Sequence, residues 1–184
     1  MQNKRYPRGF TIVEMLIALA ITAILLTAIA VAFNASIINY NENQNIFKAI
    51  NQARQALSRI TTEVRTGIVN PNNISATSCE VWCDDNSTVP YHTYYLVPYV
   101  DDNGQQKNKL KLHVSNNPND VPIPLTDPSL CDNVADNMTF NYTVVTPLLP
   151  KLPYVKSVQI SMTVVSGDVR QTVSAAAVVR KVLN

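Results

Sequence analysis

Between Phe10 and Phe33 the chain runs 24 residues with one charge, Glu14, and only Thr11, Thr22 and Thr27 as other polar groups. As helix this run is about 36 Å long, enough to cross a hydrocarbon layer of about 30 Å with some tilt. Lys4, Arg5 and Arg8 precede it and no basic residue follows closely. That asymmetry places the N-terminus in the cytoplasm and the remainder outside. The alternative is a secretory signal peptide removed near Ala28-Ile29-Ala30. Its apolar region ordinarily runs about 7–15 residues, shorter than this one, and rarely holds a carboxylate. The retained segment is the better reading.

Glu14 needs a compensating partner, because an ionised carboxylate at the centre of a membrane costs about 2.5–3.5 kcal/mol even on insertion scales. Near the interface it can snorkel or take a proton. A second solution follows if the chain is cut after Gly9. Phe10 then gains a cationic α-amine, able to pair with a Glu14 carboxylate on its own helix or on a neighbouring copy.

The 184 residues are 46% hydrophobic and 15% charged, with a formal charge of +2. One modest domain plus an appended segment fits that length. Residues 67–184 hold 8 basic and 10 acidic residues, which leaves no global footprint for nucleic acid.

Arg8-Gly9-Phe10-Thr11-Ile12-Val13-Glu14-Met15-Leu16-Ile17-Ala18-Leu19-Ala20-Ile21 resembles the class III signal of type IV prepilins and type II secretion pseudopilins. A short basic leader, a glycine before the cut, an aromatic after it, an offset glutamate and a long apolar run coincide. The resemblance implies cleavage between Gly9 and Phe10 by a prepilin peptidase and N-methylation of Phe10. It further implies that Glu14 neutralises the N-terminus of an adjacent subunit during assembly. It covers residues 4–33 best.

No Gly or Pro occurs in the 57 residues between Gly9 and Gly67. A continuous helix of that length would be about 85 Å long. Ile46, Ile50, Ala53, Leu57, Ile60 and Val64 form an amphipathic stripe, with Lys48, Arg54, Arg59, Glu63 and Arg65 read as the solvated face. Asparagines at 34, 39, 41, 43 and 45 allow a break or bend there. Gly67 and Pro71 mark the stop.

Residues 67–184 read as strands and turns. Met138, Phe140, Tyr142 and Val144 alternate with polar positions, as do Val158, Ile160, Met162 and Val164. Ser166-Gly167-Asp168 joins a hairpin of 155–165 and 169–182, and Asp101-Asp102-Asn103-Gly104 joins 91–100 to 108–114. The expected fold is α+β: a long helix packed on an antiparallel sheet, pilin-like by resemblance. The organisation is 1–9 leader, 10–33 transmembrane or filament-core helix, 34–66 amphipathic helix and 67–184 extracytoplasmic β-rich region.

Arg54–Gly67 resembles the helix end of J-type minor pseudopilins and W-type minor pilins, and Val178–Asn184 the last strand of the W-type proteins. The absence of proline from the membrane-proximal helix departs from most major pilins and favours a minor subunit.

Cys79, Cys83 and Cys131 fall in a compartment that permits disulfides, so one bridge and one odd thiol is the simplest count. On a single strand, sulfurs of Cys79 and Cys83 would stand about 13 Å apart, too far to bridge without a turn. Cys131 paired with Cys79 or Cys83 is preferred, and the choice between them is open. A zinc site from these cysteines with His92 or His113 lacks the usual ligand spacing. Asp84-Asp85 and Asp101-Asp102 invite a calcium reading, but turn chemistry accounts for them better. Lys107, Lys109 and Lys111 put three ammonium groups on one strand face, either a nucleic-acid contact or the lysines that guard an edge strand. His92 and His113 read as isolated surface or satisfied residues.

No nucleophile elbow, phosphate loop or metal-binding His pair is present, so neither an enzyme nor a cofactor is expected. The expectation is a minor pilin or pseudopilin that helps initiate or cap a type IV pilus or type II secretion pseudopilus. A major pilin, or a tip-displayed adhesin or DNA-binding pilin, is the alternative. Its partners would be other pilin or pseudopilin subunits through the N-terminal helix, the prepilin peptidase and the inner-membrane assembly platform, with nucleic acid disfavoured. It would sit in the inner membrane as a single-pass protein before entering the filament.

Overall fold

The computed structural model describes residues 9–69, 75–82, 91–101, 104–117, 120, 122–147 and 153–180. One helix, α1 (Ile12–Thr66), precedes seven strands: β1 (Ile68–Val69), β2 (Ser78–Trp82), β3 (Tyr91–Val100), β4 (Gln106–Ser115), β5 (Ser129–Val145), β6 (Tyr154–Ser166) and β7 (Val169–Val178). The chain divides into two compact units, Met1–Asn43 and Gln44–Asn184.

In the first unit every described residue is exposed. Its helix holds an 18-residue window with mean hydropathy 2.8, long and apolar enough to cross a membrane. The hydroxyls of Thr22 and Thr27 donate to the carbonyls of Ala18 and Ile24 at 2.7 and 2.8 Å. Those polar groups are thereby satisfied within the helix, as an apolar surrounding requires. Helical hydrogen bonding continues through 34–45, so the asparagines do not break α1. Each costs only about 0.7 kcal/mol against alanine, and adding a residue to an existing helix is far easier than starting one.

In the second unit α1 buries Ile46, Ala49, Ala53, Ala56, Leu57, Ile60 and Val64. This is the expected stripe, widened by two alanines whose small side chains sit among the larger apolar groups of the core. The helix stops at Gly67, whose N–H donates to the Glu63 carbonyl at 2.7 Å. A Cβ here would lie 2.6 Å from the Trp82 carbonyl oxygen, so only glycine lets β2 come this close.

The sheet order is β1-β2-β3-β4-β5-β6-β7, with each neighbouring pair antiparallel and joined in sequence. Both expected hairpins are present, β3–β4 and β6–β7, the second turning at Gly167 with φ +55°. Met138, Phe140, Val158, Ile160, Met162 and Val164 face the core as their alternation implies. Val144, paired with the buried Val155, keeps the same alternation but stands 42% exposed beside a register shift whose extra residue lies in β6. The architecture is α+β and pilin-like, a long N-terminal helix and an antiparallel sheet.

Candidate functional site

Of the residues where processing is expected, Gly9 and Phe10 are exposed just ahead of α1, Phe10 at 78%. Glu14 stands in the first helical turn. Its N–H donates to the Thr11 hydroxyl oxygen at 3.2 Å, while its carboxylate accepts from the Thr11 N–H at 3.5 Å. This is a capping box, in which two helix-end donors are satisfied reciprocally and a negative charge meets the positive end of the helix dipole. The spacing Thr11-Ile12-Val13-Glu14 is its signature, a local role for Glu14 that the reading of the sequence above did not include. Of the expected leader 1–9, residues 1–8 lie outside the described residues.

The second unit gathers its polar chemistry into two clusters that sequence reasoning missed. Glu63, read as solvated, is half-buried: His92 Nδ1 stands 2.7 Å from Oε2, the Tyr94 hydroxyl donates to the same oxygen, and Arg59 Nε donates to Oε1 at 3.1 Å. Burial pushes the carboxyl up, but the bonds from His92, Tyr94 and Arg59 outweigh it and hold Glu63 below the usual carboxylate range. The same burial and the neighbouring carboxylate push the Tyr94 hydroxyl up. These residues pin α1 to β3.

Asp127 is the centre of the second cluster. It accepts from the Tyr95 hydroxyl at 2.7 Å and the Ile123 N–H at 3.0 Å, with His113 Nδ1 at 3.0 Å, while Lys111 Nζ donates to its backbone carbonyl at 2.7 Å. Burial raises its pKa, and the bonds from Tyr95, His113 and Ile123 bring it below the ordinary value. Neither histidine is isolated. Each faces a carboxylate at least 14 residues away in sequence, which no local pattern announces.

The three lysines of β4 are engaged. Lys107 is buried and pairs with Asp101 at 2.7 Å, Lys109 stands 3.7 Å from Asp132 and over the Tyr99 ring, and Lys111 holds Asp127. Moreover, β4 lies between β3 and β5, so its lysines guard no edge. Asp101 also accepts from the Gln105 N–H at 2.8 Å, turn chemistry as expected.

Cys79 and Cys131 are buried and free, and are not joined to one another. Burial pushes both thiols up to about 12, so neither is a ready nucleophile. Cys83 and the Asp84-Asp85 pair lie outside the described residues. Among the described residues no three His, Cys, Asp or Glu side chains converge to hold a metal ion.

Residues 4–30 match the family model for the prokaryotic N-terminal methylation motif. This is the type IV pilin and pseudopilin signature. It supports a member of that family, and a structural subunit rather than an enzyme. The pilin motif suggests processing by a prepilin peptidase and assembly with other pilin subunits, and with the apolar helix it is consistent with membrane anchoring. No curated protein and no solved structure matches the chain.

Proposed function

We propose that this chain is a minor pilin or pseudopilin, cut between Gly9 and Phe10, methylated on the Phe10 amine and built into a pilus or pseudopilus. The observation that carries the reading is the coincidence of the methylation motif with an apolar helix that buries none of its residues between Ile12 and Asn45. Residues 1–9 serve as leader and 10–33 as membrane anchor and later filament core, with the N-terminus cytoplasmic and 67–184 extracytoplasmic. The absence of proline between Gly9 and Gly67 supports a minor rather than a major subunit. The subunit helps to initiate or cap the fibre, with other pilins and the inner-membrane platform as partners.

Glu14 has two successive roles in this account. In the precursor it caps its own helix; in the fibre its carboxylate meets the cationic amine of a neighbouring Phe10 where apolar helices exchange lipid for one another. Glu14→Ala tests the second role, since Thr11 still supplies half of the cap. Incorporation into sheared filaments should fall about a hundredfold, as for a buried ion pair that loses one member, with membrane levels unchanged. Undiminished incorporation would contradict it.

A further inference from the structure

β7 closes one side of the sheet, and its outer edge has no neighbouring strand among the described residues. Such an edge presents a row of unpaired N–H and C=O groups, which natural sheets blunt with proline, lysine, a bulge or a very short strand. β7 has none of these. Its sequence, Val169-Arg170-Gln171-Thr172-Val173-Ser174-Ala175-Ala176-Ala177-Val178, holds one charge and no proline, and its 10 residues pair with β6 without a register shift. The opposite edge, β1, is 2 residues long.

Which backbone groups stand free follows from the hairpin. Ser166 and Val169 flank a two-residue turn, so they exchange both backbone bonds, and every second residue beyond them repeats that pattern. The Val179 N–H, in step with this series, donates to the Lys156 carbonyl at 3.0 Å. Arg170, Thr172, Ser174, Ala176 and Val178 therefore direct their N–H and C=O groups away from β6. All five residues are exposed.

A strand that completes this edge must be extended, as long as β7, and able to set its side chains against these five. β7 of a second copy meets each condition. Laid antiparallel about a two-fold axis at Ser174, it places Ser174 opposite Ser174, Thr172 opposite Ala176 and Arg170 opposite Val178 of the other copy. The two arginines stand at opposite ends, so no like charges meet across the seam. The pairing closes about ten backbone hydrogen bonds. On the core side Val173 meets Ala175, both of which are only partly buried at the rim of the core. On the outer side the Arg170 stem covers Val178, which is 61% exposed in the single chain. The described β1 of a second copy would match only a short part of this edge.

We propose that β7 is a self-association edge, pairing antiparallel with β7 of a second copy about Ser174 so that the two sheets become one. The pairing uses residues of the second unit alone and stands apart from the pilin reading of the N-terminal helix.

Site-directed disulfide formation in the full chain, in detergent, tests both the edge and its register. Cys83→Ser is the background, and Cys79 and Cys131, which are buried, stay in place. At the two-fold axis paired α-carbons stand about 5.5 Å apart, within disulfide reach. Ser174→Cys should cross-link under mild oxidation about tenfold faster than Ala176→Cys, whose two copies stand about 13 Å apart along the strands. Ala176→Cys mixed with Thr172→Cys should recover the fast rate as a cross-linked pair of the two variants, because those positions face one another. An Ala176→Cys chain that cross-links alone as fast as Ser174→Cys would overturn the pairing, since copies brought together by their apolar helices collide without register. So would a Ser174→Cys chain that stays monomeric.

Discussion

Residues 12–45 and 46–66 belong to one hydrogen-bonded helix, yet the first stretch buries nothing and the second buries seven side chains. The backbone chemistry is the same in both. What differs is where the apolar side chains find cover. From Ile46 onward the stripe is covered by β2 to β6 and completes a core within the chain. Before it, Leu16, Leu19, Ile24, Leu26 and Ile29 each stand more than half exposed. At about 25 cal/mol per Å² of apolar surface, such an array is sustainable only in lipid or against other helices. A helix can thus be complete in its hydrogen bonds and incomplete in its burial.

Substitutions should separate the two stretches. The largest effect is expected at Ile60, which has 0% exposure beneath the sheet. Ile60→Ala should cost about 3–4 kcal/mol of stability in the second unit, read as a lower thermal midpoint, with membrane association unchanged. Leu19→Arg should do the converse. It places a charge in the apolar run at about 2.5–3.5 kcal/mol and should empty the membrane fraction while the melting of 44–184 stays as it was. If either change crosses over into the other readout, the division is wrong.

Acid sharpens the comparison further. Glu63 and Asp127 are held below the ordinary carboxylate range, so between their folded and unfolded values the unfolded chain binds more protons. Their stabilisation is present above the unfolded value and is lost as pH falls through the folded one. The midpoint of the second unit should therefore drop as pH is lowered below about 4. Glu63→Gln should cost about 1–2 kcal/mol at pH 7 and flatten that acid limb. A midpoint indifferent to acid, or unaltered in its pH profile by Glu63→Gln, would argue against the Glu63 cluster as the tie between α1 and β3.

Features with a short period were readable in the sequence. The apolar run, the stripe from Ile46 to Val64, the inward alternation of β5 and β6 and the Gly167 turn each follow from spacing within a few residues. The clusters were not readable, because Glu63 meets His92 and Tyr94 across 29 and 31 residues, and Tyr95 meets Asp127 across 32. Polar side chains at such separations are brought together by strand register, which the residues do not state individually. The lysines of β4 show the same effect in reverse. Their alternation was evident, but that Asp101, Asp132 and Asp127 would occupy them depended on where neighbouring segments returned.

The central claim is that the uncovered first stretch is a processed pilin helix. The direct test is the intact mass and N-terminal sequence of the protein extracted from its own cell's membrane. The account predicts a chain beginning at N-methylated Phe10. A chain beginning near Val31, or one that keeps Met1 in a cell with an active prepilin peptidase, would contradict it.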